Sequence, residues 1–334
     1  MNKPEVYVTR QLFPEAMEIL ERNANVEVFK GVDEAIPRDL LLTKVSGVKG
    51  LLSLLTESID AEVIDAGEDL EVISNYAVGF NNIDLKAATE RGIYVTNTPG
   101  ILTETTADAA FALLMAAARR IPEADRHIRA GKWIHAWGPR MFIGTDIHGK
   151  TLGIIGLGRI GSALVKRAQG FGMKVIYNDV LRQKELEKEL GVIFKHRDEV
   201  IREADFLSLH VPLTAETHHL IGSNELEAMK NSAFLINTSR GPVVNQRSLY
   251  EALCSGAIAG AALDVFEEEP IDPDSPLMGL ENIVMTPHLA SGSVETRTRM
   301  ATTAARNLVS VLQGRVPPNL VNSEVKKVRP LKDS

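Results

Sequence analysis

The sequence predicts an α/β protein built from two doubly wound parallel sheets, and three observations lead there. Short apolar runs alternate with helical patterns along most of the chain. Its 334 residues exceed a typical single domain, so about two hydrophobic cores are expected. The stretch Thr151 to Asp179 reads as strand, glycine turn, helix, strand and terminal acid, all in register.

Composition narrows the class. Hydrophobic residues make up 44% and charged residues 24%, as in globular proteins that stay in water. A formal net charge of -7 argues against a general nucleic-acid or anionic-membrane surface. Cys254 is the single cysteine, so no intrachain disulfide can form, which suits a reducing compartment. No apolar stretch reaches the length of a membrane span. The start MNKPEVYVTRQLFPEAM has no leader-like apolar core and reads directly as strand and helix, so the cytoplasm is the expected location.

The first hundred residues give strands at Val6 to Thr9, Val26 to Phe29, Leu51 to Leu54, Val72 to Asn75 and Ile93 to Thr96. Helical patterns separate them, at Pro14 to Arg22, Arg38 to Val45, Ile59 to Ala66 and Leu85 to Arg91, the last stopped by Gly92. Such βαβ units imply a parallel sheet covered on both faces. Thr96-Asn97-Thr98-Pro99-Gly100 is a turn cluster and a natural boundary. The helix expected from Thr105 to Arg119 is apolar on nearly every side, so it belongs in a core or an interface. From Ile121 to Lys150 the pattern breaks into an irregular segment holding both tryptophans, Trp133 and Trp137, and this segment reads as a dimer arm.

The glycine turn follows. Gly156, Gly158 and Gly161 match G-x-G-x-x-G between the strand Thr151 to Ile155 and a helix over about Ile160 to Gln169. Gly156 permits the tight turn, Gly158 lets a pyrophosphate approach the backbone, and Gly161 lets helix and strand pack closely. The helix N-terminus offers free N–H groups and partial positive charge to phosphates. The next strand, Lys174 to Tyr177, leads to Asp179, where an acid can bond the adenosine ribose hydroxyls.

After Asp179 the alternation resumes. Strands are expected at Phe206 to Leu209, Ala233 to Asn237, Ile258 to Leu263 and Ile283 to Thr286, followed by one long helix from Val294 to Gln313. Their ends carry His210-Val211-Pro212, Thr238-Ser239-Arg240-Gly241, Asp264 through Glu269 to Pro270, and Pro287-His288. In a parallel sheet these ends share one edge, beside the cofactor crevice. Arg240 offers a permanently charged planar fork suited to a carboxylate. His288 can deliver a proton near neutral pH, and Glu269 beside it would stabilise the imidazolium and fix the ring and its tautomer. In the first hundred residues, the loop Leu54 to Glu57 and the glycine loop Asn75 to Asn82 stand at strand ends, with Val78 and Gly79 offering amides to a small anion. The adjacent pair His218-His219 is a weak metal signal, because neighbouring side chains point apart and no carboxylate spacing supports it; no metal is expected.

Long strings carry a specific resemblance over about residues 3 to 322. They are NYAVGFNNID at 75–84, TLGIIGLGRIG at 151–161, LHVPLTAET at 209–217, FLINTSRGPVVN at 234–245, ALDVFEEEP at 262–270 and TPHLASGS at 286–293. The chain resembles the D-isomer-specific 2-hydroxyacid dehydrogenases, and among them the glyoxylate/hydroxypyruvate reductases. The resemblance implies a Rossmann NAD domain at 101–287, with the dimerisation arm at about 121–150, inserted in a flavodoxin-like substrate domain at 1–100 and 288–334. It implies catalysis by Arg240, Glu269 and His288. It implies cofactor contacts from Thr106, Gly156, Gly158, Arg159, Ile160, Gly161, Asp179, His210, Val211, Pro212, Thr217, Thr238, Ser239, Arg240, Asp264, His288 and Ser291, with Asp264 near the nicotinamide carboxamide. Substrate contacts would come from Leu55, the Val78 and Gly79 amides, Arg240 and His288. The implied reaction is NAD(P)H-dependent reduction of glyoxylate or hydroxypyruvate to the D-2-hydroxy acid by a homodimer, with closure of the domains excluding water.

Two departures stand out. Many relatives read H-I-G-S or H-I-G-G where this chain has His288-Leu289-Ala290-Ser291, so backbone contacts at Ala290 are open to shift. NADP-preferring relatives carry a small residue and then an arginine where Asp179 stands, so NAD(H) is expected over NADP(H), with Arg182 nearby working the other way. The same scaffold also serves phosphoglycerate and phosphite dehydrogenases and non-catalytic NAD(H)-sensing regulators, which remain the alternatives.

Overall fold

The structure is a computed structural model and describes residues 3–31 and 34–332; Met1 and Asn2 of the opening string lie outside it. The chain forms two compact units, one running through Leu102 and resuming at Gly292, the other Thr103–Ser291.

The smaller unit carries five parallel strands: β1 (Glu5–Val8), β2 (Asn25–Val28), β3 (Gly50–Ser53), β4 (Val72–Asn75) and β5 (Tyr94–Thr96). The helices between them are α1 (Pro14–Asn23), α2 (Arg38–Val45), α3 (Ala61–Ala66) and α4 (Leu85–Glu90). The strand order is β2-β1-β3-β4-β5, the flavodoxin-like order. Strand alternation divides the core in two. Leu51 of β3 faces a cluster with Ile59, Val63, Ile64 and Ile73, whereas Leu52 faces Ala16, Leu20, Met300 and Leu308 on the other side. Local chemistry sets the helix starts. Asp60 caps α3 by accepting from the Val63 amide (3.1 Å), so this helix begins at Ala61 and not at Ile59. Asp84 caps α4 in the same way, through the Ala87 amide at 2.9 Å.

The larger unit opens with α5 (Thr103–Ala118) and α6 (Ile121–Arg129). Its seven parallel strands are β6 (Thr151–Ile155), β7 (Lys174–Asn178), β8 (Ile193–Phe194), β9 (Phe206–Leu209), β10 (Phe234–Asn237), β11 (Gly260–Leu263) and β12 (Ile283–Met285). Helices α7 (Arg159–Gly170), α8 (Lys184–Leu190), α9 (Arg197–Glu203), α10 (Ser223–Ala228) and α11 (Gln246–Ser255) cover the sheet. The order β12-β11-β10-β9-β6-β7-β8 is the Rossmann arrangement with one further strand, and it reverses direction between β6 and β9. Ile154 and Ile155 of β6 again face opposite clusters, one with α5 and α7, the other with α9, α10 and α11. Helix α5 is buried along Ala107, Ala110, Leu113, Leu114 and Ala118, so its all-round apolar character is satisfied largely within this core.

The segment 121–150 departs from the expectation of an irregular run throughout. Residues Ile121–Arg129 are helical, started by Arg120 in the left-handed region (φ 54) and by Pro122 in the first turn. None of its residues is buried, so no core-facing apolar stripe marked it in the sequence. In the smaller unit, α12 (Val294–Leu312) packs against α1, β3 and β4, and a short α13 (Val325–Val328) follows. Ser293 caps α12 through the Thr296 amide (3.2 Å).

Candidate active site

Strands β9, β10, β11 and β12 are neighbours and parallel, so their carboxyl ends line one edge of the larger unit. The glycine turn after β6 continues that edge. Gly156 has φ 95, and a Cβ there would lie 2.6 Å from the His210 carbonyl oxygen, so glycine is required. A Cβ at Gly161 would overlap the Gly156 carbonyl, which is the close helix–strand approach read from the motif. Gly158, the N-cap of α7, has no side chain to occupy the first amides of the helix, and a Cβ there would meet nothing within 4 Å. The turn thus leaves both space and N–H donors where a pyrophosphate is expected. Asp179 follows β7 and folds back to this turn, its carboxylate accepting from the Leu157 amide (2.7 Å) and the Leu181 amide (3.3 Å). Thr238 adds a buried hydroxyl with no hydrogen-bond partner among the described residues. These residues fit a dinucleotide.

Arg182 is already engaged. Its Nε and Nη2 bond the two Glu187 oxygens at 2.8 and 2.9 Å, and its guanidinium lies 5.3 Å from the Phe194 ring centre. The Arg182 bonds, helped by the Tyr177 hydroxyl, hold the Glu187 carboxyl down at about 2. Asp179 therefore stands at the glycine turn while the nearby cation is held by another carboxylate.

His288 and Glu269 meet. His288 Nδ1 lies 2.7 Å from Glu269 Oε2, while Glu269 Oε1 accepts from the Phe266 amide at 3.0 Å. Burial alone pushes the Glu269 carboxyl up, but the His288 bond and charge, the Phe266 amide and the Arg240 charge outweigh it and hold the group below its ordinary value. His288 adopts φ 50, in a region costly for a non-glycine residue. Asp264 maintains that conformation. Its fully buried carboxylate accepts from the Thr286 hydroxyl (2.6 Å) and the Leu289 and Ala290 amides (both 2.8 Å), and its carbonyl accepts from the His288 amide (2.9 Å). Ala290, the residue departing from the glycine of relatives, is buried and supplies one of these bonds. Thr286 and this use of Asp264 were missed in the sequence; the TPH string at the end of β12 was the available signal.

Arg240 ends β10. Asn237 orders its turn by donating to the Arg240 carbonyl (2.9 Å) and accepting from the Ser239 amide (3.0 Å) and hydroxyl (2.7 Å). Burial lowers the Arg240 proton affinity, and the Glu269 charge opposes the change. Gly241 lets this turn touch the β11 loop, since a Cβ would overlap the Phe266 carbonyl. Thr106 is buried in α5, Thr217 Oγ1 donates to the Pro212 carbonyl (2.6 Å), and Val211 packs on the α9–α11 side of the sheet. Ser291 is the last residue of this unit.

In the smaller unit, Leu55, Val78 and Gly79 lie on the loops after β3 and β4. Asn82 joins those loops by donating to the Leu54 and Glu57 carbonyls (3.1 and 2.9 Å). The Val78 and Gly79 carbonyls accept from Asn97 and Asn75 (2.7 and 2.8 Å). Their amides donate to no protein acceptor among the described residues.

The His218 and His219 rings correct the expectation that they point apart, for their centres are 4.0 Å apart. The cause is the left-handed His219 backbone (φ 51), which turns its side chain back. Among the described residues no cluster of histidine, cysteine and acids could hold a metal ion, and no helix is long and apolar enough to cross a membrane.

His210 gives a pH prediction. Its Nε2 bonds Ser208 Oγ (2.8 Å), and burial pushes the imidazole down to about 4, although the residue keeps some surface exposure. The folded state keeps it neutral while the unfolded chain binds a proton below about 6.5, so stability falls as pH drops from 6.5 toward 4. Between pH 7 and pH 5 this amounts to at most about 2 kcal/mol. The urea midpoint of wild type should fall further between pH 7 and pH 5 than that of His210→Gln; equal acid sensitivity in both contradicts the assignment.

Comparisons with known proteins agree with the fold. Residues 111–290, more than half of the chain, match the family model of the D-isomer-specific 2-hydroxyacid dehydrogenase NAD-binding domain. A glyoxylate reductase of Korarchaeum cryptofilum is 56% identical over 329 residues, covering 98% of both chains. The crystal structure of a Thermus thermophilus protein superposes with a TM-score of 0.90 at 47% identity, covering 95% of this chain and 99% of that one. An NADPH-dependent glyoxylate/hydroxypyruvate reductase of Sinorhizobium meliloti, solved with NADP and malonate, gives 0.84 at 31% identity and covers 99% of both. The chain belongs to the D-isomer-specific 2-hydroxyacid dehydrogenase family, in its glyoxylate reductase branch.

Proposed function

We propose that the chain reduces a small 2-oxo acid, glyoxylate or hydroxypyruvate, to the corresponding 2-hydroxy acid with NADH. The observation that carries this reading is the 2.7 Å His288–Glu269 pair on the strand-end edge that also holds Arg240 and the glycine turn. The bound dihydronicotinamide supplies the hydride. Arg240 holds the anionic end of the 2-oxo acid by its planar fork. His288 protonates the oxygen that becomes the hydroxyl, and Glu269, its carboxyl held below its ordinary value, stabilises the imidazolium beforehand. In the reverse direction neutral His288 takes the proton from a D-2-hydroxy acid. In the smaller unit, the unpartnered amides of Val78 and Gly79 are assigned to carboxylate binding, and Leu55 to the substrate pocket.

A panel assay of NADH oxidation tests the activity. Turnover of glyoxylate or hydroxypyruvate supports it. NADH binding with no turnover of any 2-oxo acid supports a sensing regulator, and preference for 3-phosphohydroxypyruvate, or NAD reduction by phosphite, supports the alternative dehydrogenases.

Cofactor preference is assigned to Asp179. A 2′-phosphate would meet its carboxylate, and Arg182, the cation that could compensate, is paired with Glu187. Asp179→Ser is expected to raise the NADPH/NADH ratio of kcat/KM about tenfold or more. An unchanged ratio rejects the assignment.

The chain is further proposed to pair through 121–150. There Ile134 and Trp137 are 83% and 79% exposed, and Ile121, Ile128, Trp133 and Ile143 are exposed as well, more apolar surface than one segment of a monomer usually presents. Light scattering after size exclusion should give a dimer for wild type and a monomer for Ile134→Asp; a wild-type monomer contradicts it.

A further inference from the structure

A second histidine–glutamate pair lies in the larger unit, outside the residues given a chemical role above. His219 Nε2 is 2.7 Å from Glu267 Oε1, and Glu267 stands two residues before Glu269 on the loop after β11. Like His288, His219 sits at positive φ (51), which costs about 1 kcal/mol or more and persists only where the surroundings over-determine it. Here they do. The His219 amide donates to the Pro242 carbonyl (2.7 Å), and Asn245 Nδ2 lies 3.3 Å from His219 Nδ1. Glu267 Oε1 also accepts from the Gln246 amide (3.2 Å), and the Glu267 amide donates to Gln246 Oε1 (3.3 Å). A neutral ring with its proton on Nε2 satisfies every partner, donating to Glu267 and accepting from Asn245. His219 thus joins the loop after β9 to the turn just beyond Arg240 through its amide, and to Asn245 and the loop that carries Glu269 through its imidazole.

We propose that His219 is a positioning residue that keeps Glu269 directed at His288. The connection runs through the backbone. His219 fixes Glu267, and Glu267 fixes the 266–267 peptide. The Phe266 amide, in the adjoining 265–266 peptide, holds Glu269 Oε1, which leaves Oε2 for His288 Nδ1. Both partners of the His219–Glu267 pair are about one-third exposed, so its effect lies in orientation more than in Coulomb energy. The proposal rests on the reading of His288 and Glu269 as the acid–base pair.

The test compares His219→Gly, which keeps the φ and removes the ring, with Glu267→Ala and Glu267→Gln, the last retaining an acceptor oxygen. His219→Gly and Glu267→Ala are expected to lower kcat for glyoxylate about tenfold, with Kd for NADH from fluorescence titration within about twofold of wild type. KM for glyoxylate stays within about twofold of wild type, because the loss falls on proton delivery and not on substrate binding. Glu267→Gln restores most of the activity. A purely structural role would instead lower the melting temperature and the active fraction while leaving kcat per folded molecule at the wild-type value, and that result overturns the proposal, as does wild-type kinetics in His219→Gly. Full turnover in His288→Ala would instead remove the catalytic reading beneath it.

Discussion

Replacing His288 with alanine is expected to lower turnover about 10²–10⁴-fold while NADH binding stays within about twofold of wild type. The loss follows from position. Among the described histidines of the strand-end edge, His288 is the one that bonds Glu269 (2.7 Å), whereas His210 faces Ser208 and His219 faces Glu267. Alanine removes the proton donor and leaves Glu269 with only the Phe266 amide and the Arg240 charge. Binding survives because the glycine turn and Asp179 are held by contacts of their own. The fold survives as well, since Asp264 is bonded to the backbone and to Thr286 and not to the imidazole. Steady-state kinetics with fluorescence titration of NADH checks both halves. Full turnover in the variant would show that the proton comes from elsewhere.

Gly241→Ala is expected to have the largest effect on stability. The obstruction is backbone on backbone, for the added methyl would overlap the Phe266 carbonyl and crowd the Glu267 amide. No rotamer change relieves such an overlap, so the Arg240 turn or the Glu269 loop must move. Overpacking in a well-filled core costs typically 1–3 kcal/mol, and a backbone overlap belongs at or above about 3 kcal/mol. Activity should fall further than the folded fraction does, because the displaced loop carries Glu269 away from His288. Urea denaturation gives the first quantity and kcat per folded molecule the second. A variant as stable and active as wild type would show that the two loops are not in register as described.

The sequence made the scaffold and the polar residues at its strand ends legible for physical reasons. Parallel strands buried on both faces appear as short apolar runs, and the runs at Val72–Asn75 and Phe206–Leu209 match the observed strands residue for residue. The glycine turn is legible because backbone approach excludes side chains, which the overlaps at Gly156 and Gly161 bear out. What stayed hidden depends on direction and not on composition. Helix α6 was concealed because its apolar residues Ile121 and Ile128 are exposed and leave no core-facing stripe. The His218–His219 pair was misjudged because alternation assumes ordinary φ, and His219 does not have it. Arg182 looked like a cation available for a 2′-phosphate, and only coordinates reveal the fork it makes with Glu187. The buried role of Asp264 was likewise out of reach, since its partners lie 22 to 26 residues away in the chain.

The central claim is that His288, on the edge with Arg240 and Glu269, protonates a 2-oxo acid reduced on the face that yields the D-2-hydroxy acid. The most direct measurement is chiral chromatography of the product formed from hydroxypyruvate and NADH. The account predicts D-glycerate alone, in amounts matching the NADH oxidised, and a greatly reduced yield with His288→Ala. L-glycerate, a racemic product, or no oxidation of NADH by hydroxypyruvate or glyoxylate would contradict it.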